Sequence, residues 1–308
     1  MIPFTNIIFY NHFHNGDIHL SRTFVQKIIE TLSLQNNNTK FFYAHRNSPD
    51  LLADIPKLTH SPAHFRNIKS EKLGDFVLNN DLYINTWYAS NNYAYMNHYG
   101  ITFDCLYYLF NDVCSRQFGF VLSDISADPK VFFPAINYSC YQINNVVSWV
   151  SATQNKKILI SNCSPLSGQA HPLNLAGITC QLSRQFKDHC FILTNKVPID
   201  QKQYPNILFS SDIIKKTSPF DLNENAFLST FCDVIVGPAS GAFTFAMTQD
   251  NFFNRNETMI GLCNLIPNKP GKFWLNKLFE DNINYSANVV IDNSNNEKHI
   301  IELIAKNL

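Results

Sequence analysis

Residues 6–34 read NIIFYNHFHNGDIHLSRTFVQKIIETLSL, and their periodicity changes part-way along. Asn6 to Tyr10 form a short β-branched and aromatic run, the mark of a buried strand. From Ser21 to Leu34 the apolar residues Phe24, Val25, Ile28, Ile29 and Leu32 follow 3.6-residue spacing. That spacing predicts an amphipathic helix with Ser21 as its N-cap. A buried strand, a loop and an amphipathic helix in succession are the unit of a parallel α/β sheet.

The alternation continues. KFFYAH (40–45) and DLYINTWY (81–88) read as strands, 98–122 as largely helical, and VFFPAIN (131–137) as a short strand or extended segment. A second series opens with KKILISNCS (156–164), a strand entering a loop, and LNLAGITCQLSRQFKD (173–188), a helix. CFILTNK (190–196) and NILFSSDI (206–213) are strands, and LNENAFLSTF (222–231) is a helix. CDVIVGPASGAF (232–243) is a strand into a loop, and TMIGLCN (258–264) is a further strand. The ending, NEKHIIELIAKNL, is an amphipathic helix. The expected fold class is α/β with two Rossmann-like lobes of parallel sheet. The seam is expected within 138–155. The lobes are then 1–145 and 146–308, with the last helix free to pack back on the first lobe.

Composition sets limits. The 308 residues are 45% hydrophobic and 14% aromatic, ample for packed cores. A formal net charge of zero and a pI near 7.1 give no global case for nucleic acid or an anionic membrane. Eight cysteines contain no CxxC and mostly sit in apolar runs such as LSTFCDVIVG, which predicts buried free thiols rather than structural zinc. The start, MIPFTNIIFYNHFHNGD, lacks the basic region and cleavage site of a signal peptide. No window approaches 18 apolar residues, so a cytoplasmic location is expected.

In parallel α/β sheets ligands lie off the carboxyl ends of strands, so loops directly after strands carry the chemistry. In DVIVGPASGAFTFAMTQ (233–249) the strand ends at Val236. Gly237, Pro238, Ala239, Ser240 and Gly241 follow, with a helix expected to start near Ala242. Small residues let a ligand approach the backbone, and the free amides of a helix start suit a phosphate. Ser240 adds a hydroxyl. The same run also serves as an ordinary strand-to-helix turn, and it is neither a Walker loop nor GxGxxG.

NHFHNGDIHLSR (11–22) admits three readings. His12 and His14 can chelate a metal, yet no HExxH or second ligand cluster follows. A nucleotide loop would rest on Gly16 alone. In the third reading Gly16 turns the loop sharply and presents Asp17 just before the helix, where its carboxylate accepts a proton from a substrate hydroxyl. Asp17 also reads as an acidic residue complementing the helix dipole, and His19 as structural.

NGDIHLSRTFVQKI (15–28) after the strand NIIFY resembles the opening of the heptosyltransferase family. CDVIVGPASGAFTFAMTQ (232–249) resembles that family's second-lobe segment, in the same order along the chain. The resemblance implies a GT-B-like pair of lobes whose sheets face across a cleft, the first for the acceptor and the second for the nucleotide sugar. It implies inverting, metal-independent transfer from a nucleotide-diphosphate sugar. Carried over by position, Asp17 is the general base and Ser240 with Gly241 the diphosphate site. Gly237 and Ala242 flank that site, and Ser164, Ser167, His171 and Lys196 are candidate donor-side helpers, although Lys196 also reads as a solvated surface residue and His171 as an ordinary loop residue.

Gly16 falls on the acceptor side, and His14 either lines that side or hydrogen-bonds within the loop. Asn85, Trp87 and Tyr88 also fall on the acceptor side, from a run of aromatic and amide residues (82–100) that suits a sugar and also reads as aromatic core packing. No cofactor or metal is expected, since the nucleotide sugar is a co-substrate. The acceptor is a glycan, lipid-linked or other hydroxyl, and any membrane association is expected only through it. Where the family carries a histidine soon after the Ser-Gly, this chain reads AFTFAM. SNCSPLSGQAHPL offers only His171 in place of the family's basic residue. Two alternatives therefore stay open. One is a GT-B-shaped binding protein without catalysis, for a nucleotide sugar or glycan. The other is a nucleotide-sugar epimerase or hydrolase.

Overall fold

The computed structural model describes residues 4–12, 15–35, 38–66, 68, 74–87, 102–119, 131, 133–163, 170–218, 220–238, 243–263 and 285–308. They form two compact units, 1–137 and 138–308, each built on one mostly parallel sheet. The division precedes the helix Asn144–Ala152, which packs on the helices Ser210–Ile214 and Leu222–Ser229 of the second unit. The boundary expected at 145/146 would have cut that helix.

In the first unit, β1 (Asn6–Tyr10) lies between β2 (Lys40–Ala44) and β5 (Asp81–Asn85). β3 (Leu58–His60) extends the sheet beyond β2, and β4 (Phe76–Leu78) closes the other edge. Ile7 to Tyr10 are fully buried, as expected of a central parallel strand covered on both faces. β4 is antiparallel to β5 and joins it through Asn79 and Asn80, at φ +52° and +65°. Two residues of positive φ match a primed hairpin turn, and asparagine tolerates that region.

α1 (Asn15–Leu20) and α2 (Arg22–Gln35) follow β1. Phe24, Val25, Ile28, Ile29 and Leu32 are all buried, as their spacing predicts. The helical turn starts earlier than expected, at Asn15, and Ser21 is not its cap. The Ser21 hydroxyl instead donates to the Ile18 carbonyl at 2.8 Å. VFFPAIN forms no strand among its described residues: Pro134 has no N–H for a ladder, while Phe133 is buried and its carbonyl accepts from Thr23 Oγ1 at 2.9 Å.

Arg22, at the start of α2, is fully buried. Its guanidinium pairs with Asp54, and Nη2 donates to the Leu51 carbonyl at 2.6 Å. The other Asp54 oxygen accepts from the Asn137 amide at 3.0 Å. One ion pair thus ties α2, residues 51–54 and the end of the unit together.

The second unit has strand order β11-β10-β9-β6-β7-β8, all parallel. The strands are β6 (Lys156–Ile160), β7 (His189–Leu193), β8 (Ile207–Phe209), β9 (Val234–Pro238), β10 (Thr258–Leu262) and β11 (Asn288–Asp292). In chain order the sheet reads 3-2-1-4-5-6, the doubly wound order of dinucleotide-binding folds. Asn174 caps the helix Leu175–Gln185 by accepting from the Gly177 amide at 2.9 Å. Ile300 and Ile304 of the final helix enter the same core as Ile158, Leu182, Phe191 and Val236, so this helix packs within the second unit.

Among the described residues no helix is long and apolar enough to cross a membrane. Cys114, Cys190, Cys232 and Cys263 are buried free thiols; Cys140 is exposed, and Cys163 and Cys180 are half-buried.

Glu257 precedes β10 with its side chain buried, 3.2 Å from Arg255 Nε. Burial pushes its carboxyl from 4.5 up to about 7. A raised carboxyl means the folded state holds its proton more tightly than the unfolded chain. Its contribution to stability is therefore complete below 4.5 and lost as pH rises through 7. Urea midpoints of the wild type should fall across that interval, and those of Glu257→Gln should fall less.

Candidate functional site

Each sheet has one topological switch point, where successive crossovers leave in opposite directions. In the first unit it lies between β1 and β5, and in the second between β6 and β9. Crevices at the carboxyl ends of strands flanking a switch point are where such sheets bind ligands. Along the chain, residues 11–22 directly follow β1 and the stretch 233–249 contains β9, the strands at these points; residues 13, 14 and 239–242 lie outside the described residues.

Asp17 sits half-buried in the first turn of α1, and Gly16 is buried beside it. Gly16 is therefore helical and does not make the sharp turn expected of it. Gly119 is the positive-φ glycine among the described residues. Beneath α1 lies a buried polar cluster from three strand ends: Asn11 after β1, Tyr43 in β2 and Thr86 after β5, with Ser21 from the α1–α2 junction. Tyr43 Oη is 3.0 Å from Ser21 Oγ and 2.6 Å from Thr86 Oγ1, and Asn11 Nδ2 donates to Thr86 Oγ1 at 3.3 Å. Burial pushes the Tyr43 phenol well above its ordinary value. The hydrogen bonds of Ser21 and Thr86 pull it back, and the negative charge of Asp17 raises it further. Asp17 thus lies within electrostatic reach of the cluster.

Asn85, at the end of β5, is turned inward. Its Oδ1 accepts from the Trp87 backbone amide at 2.9 Å, and its backbone amide donates to Asp75 Oδ1 at 3.3 Å. These two bonds shape the strand end, with Trp87 half-buried beyond it. Asp75 is a buried carboxylate that the sequence reading did not single out. Burial raises it, and Arg116 at 3.1 Å lowers it. Arg116 is aimed there from a π-helical turn, Cys114–Phe118, a distortion often found at functional sites.

The histidines take other roles. The His12 ring packs 5.0 Å from Phe65 and 5.5 Å from Tyr10, and burial with nearby Arg46 lowers it. His19 is fully buried and burial pushes it well down, so it is neutral. The His45 ring lies 4.3 Å from that of His60, and burial takes His45 down to about 3. No group of three or more His, Cys, Asp or Glu among the described residues is arranged to hold a metal.

At the second switch point, β6 and β9 pack closely. The Ser161 amide donates to the Val236 carbonyl at 2.8 Å. A Cβ on Gly237 would lie 2.5 Å from Phe243 Cδ2 and 3.0 Å from Ser161 Cβ. Glycine is required there because Phe243 folds back over the strand end. Gly237→Ala should destabilise by about 1–3 kcal/mol through overpacking, read as a lower urea midpoint; an unchanged midpoint would refute the packing role. In place of a long helix from Ala242, the described residues form a 3₁₀ turn, Thr244–Ala246, and a short helix, Gln249–Phe253.

The loops after β6 and β7 are clamped by Asn162. Its Oδ1 accepts from the Asn195 amide at 2.8 Å, and its Nδ2 donates to the Asn195 carbonyl at 3.0 Å. Lys196 is exposed and paired with Asp212 at 2.6 Å, a surface pair worth about 0–1 kcal/mol. His171 is half-buried ahead of the helix Leu175–Gln185. Ser240, Gly241, Ala242, Ser164, Ser167, His14 and Tyr88 lie outside the described residues.

No protein-family model matches the chain, and no curated protein matches it. The similarity found is to solved glycosyltransferase structures. One is the glycosyl transferase family 9 from Veillonella parvula, at 13% identity and a TM-score of 0.48, covering 100% of this chain and 91% of that chain. Another is the E. coli heptosyltransferase WaaC with ADP, at 9% identity and a TM-score of 0.49, covering 98% of this chain and 100% of that chain. A third is the E. coli ADP-heptose lps heptosyltransferase II, at 11% identity and a TM-score of 0.46, covering 98% of each chain.

Proposed function

We propose that the chain is a glycosyltransferase that moves a sugar from a nucleotide-diphosphate donor to an acceptor hydroxyl, with Asp17 as general base. The observation that carries this reading is the pair of switch points. One presents a half-buried carboxylate over a polar cluster, and the other is a doubly wound sheet whose strand ends enter a run of small residues. The second unit takes the nucleotide, with its diphosphate against the amides around Ser240 to Ala242. Gly237, Ser164, His171 and Lys196 border that side. The first unit takes the acceptor, bordered by His14, Gly16, Asn85, Trp87 and Tyr88.

Asp17 removes the acceptor proton as the oxygen attacks the anomeric carbon. The diphosphate departs from the opposite face, so configuration inverts. Fixed donors at the leaving group stabilise the charge that develops there. The reading uses no metal.

The test is a product assay with UDP-, GDP-, ADP- and dTDP-sugars and simple glycan acceptors. Release of nucleoside diphosphate with the sugar on the acceptor supports transfer. Free sugar with no glycosylated product, or an epimerised donor, would instead support the hydrolase or epimerase.

A further inference from the structure

The buried cluster beneath α1 has a direction. The Ser21 hydroxyl spends its single hydrogen on the Ile18 carbonyl at 2.8 Å, so at 3.0 Å it accepts from Tyr43 Oη. Tyr43 has then used its own hydrogen, so at 2.6 Å Thr86 Oγ1 donates to it. Thr86 in turn accepts from Asn11 Nδ2 at 3.3 Å, and its single hydrogen is shared with the Tyr10 carbonyl, to which it also donates at 3.3 Å. The result is one unbroken donor chain, Asn11 to Thr86 to Tyr43 to Ser21 to the Ile18 carbonyl. It crosses the ends of β1, β5 and β2 and finishes in α1. All four side chains are buried.

α1 needs such an anchor. It has six residues, far below the length at which a helix holds itself. Ser21, where the chain ends, also donates its amide to the Asp17 and Ile18 carbonyls at 3.2 Å each. We propose that Thr86 and Tyr43 are positioning residues: the donor chain they relay fixes α1 on the sheet edge and so sets the place of the Asp17 carboxylate. The functional meaning of that placement rests on the reading of Asp17 as general base, but the placement can be tested without any sugar nucleotide.

Thr86→Val keeps the shape of the side chain and removes the donor to Tyr43; Thr86→Ser keeps the donor. In the full chain, amide hydrogen exchange of residues 16–21 should run at least tenfold faster in Thr86→Val and return towards wild type in Thr86→Ser. The amides of Ile7 to Tyr10 should be unaffected. A second readout uses ¹³Cζ-labelled tyrosine, with the Tyr43 signal assigned from its loss in Tyr43→Phe. That signal should move as the carboxylates titrate, and the part of this movement due to Asp17 should disappear in Asp17→Asn while the part due to His45 remains. His45, whose ring lies 5.2 Å from Tyr43, is still present in Asp17→Asn and serves as the control. If Thr86→Val does not fold, the Tyr43 signal in wild type and Asp17→Asn decides. Unchanged exchange at residues 16–21, or a Tyr43 signal that moves identically in Asp17→Asn, overturns the proposal. A chain that passes both readouts yet transfers no sugar would refute the transferase reading and leave the positioning network standing.

Discussion

Arg22→Met is expected to destabilise the fold by about 3–5 kcal/mol, the usual result of breaking a buried ion pair from one side. The Arg22 side chain is fully buried, and the side chain of its partner Asp54 is 3% exposed. Methionine fills the stem but removes the guanidinium that pairs with the buried Asp54 carboxylate, whose other oxygen keeps the Asn137 amide at 3.0 Å. It also leaves the Leu51 carbonyl without its 2.6 Å donor. A buried charge without a counter-charge is the expensive outcome, far more so than the loss of the pair's attraction. The double variant Arg22→Met, Asp54→Leu removes the charge as well and should recover much of the loss. Urea midpoints of the single and double variants check both statements. A single variant within 1 kcal/mol of wild type would mean that the pair does not clamp α2, residues 51–54 and Asn137 as described.

Asp17→Asn is expected to lower turnover by roughly 10²–10⁴, the range typical of a lost general base. The substitution conserves shape. The backbone carbonyl of Asp17, which accepts from the Ser21 amide at 3.2 Å, is untouched, so the fold should be unaltered. Nucleotide binding should also be unchanged, because the proposed nucleotide site lies on the other sheet. The informative result is therefore a split, with turnover gone and nucleotide affinity intact. Turnover equal to wild type would remove Asp17 from the chemistry.

The elements legible in the sequence are those whose pattern is local. β1, β6, β7 and β9 are central parallel strands, and continuous apolar runs announce them. α2 declared itself through the spacing of Phe24, Val25, Ile28, Ile29 and Leu32. β3 and β4 have three residues each and lie at sheet edges, too short for any periodicity to register. VFFPAIN reads as a strand or an extended segment from its apolar composition, and the strand reading fails because Pro134 cannot complete a ladder.

The site was legible at its two loops, because strand-to-loop junctions can be located from sequence and ligands gather there. Its supporting residues were not. Asn11 and Thr86 are 75 positions apart and Tyr43 and Thr86 are 43 apart, and only strand order brings them together. Asp75 and Arg116 meet for the same reason. His12 was read as a possible ligand because neither its burial nor the Phe65 ring beside it shows in the sequence.

The proposed site on the second sheet should bind a nucleoside diphosphate. The direct measurement is a thermal-shift screen of the full chain against UDP, GDP, ADP and dTDP and their sugar derivatives. A ligand at a hundred times its Kd stabilises by about 2.7 kcal/mol, a rise of several degrees for a protein of this size. At least one nucleotide should give that rise and lose it when Ser240 and Gly241 are replaced by bulkier residues. No shift with any member of the panel would mean that the second sheet does not take a nucleoside diphosphate.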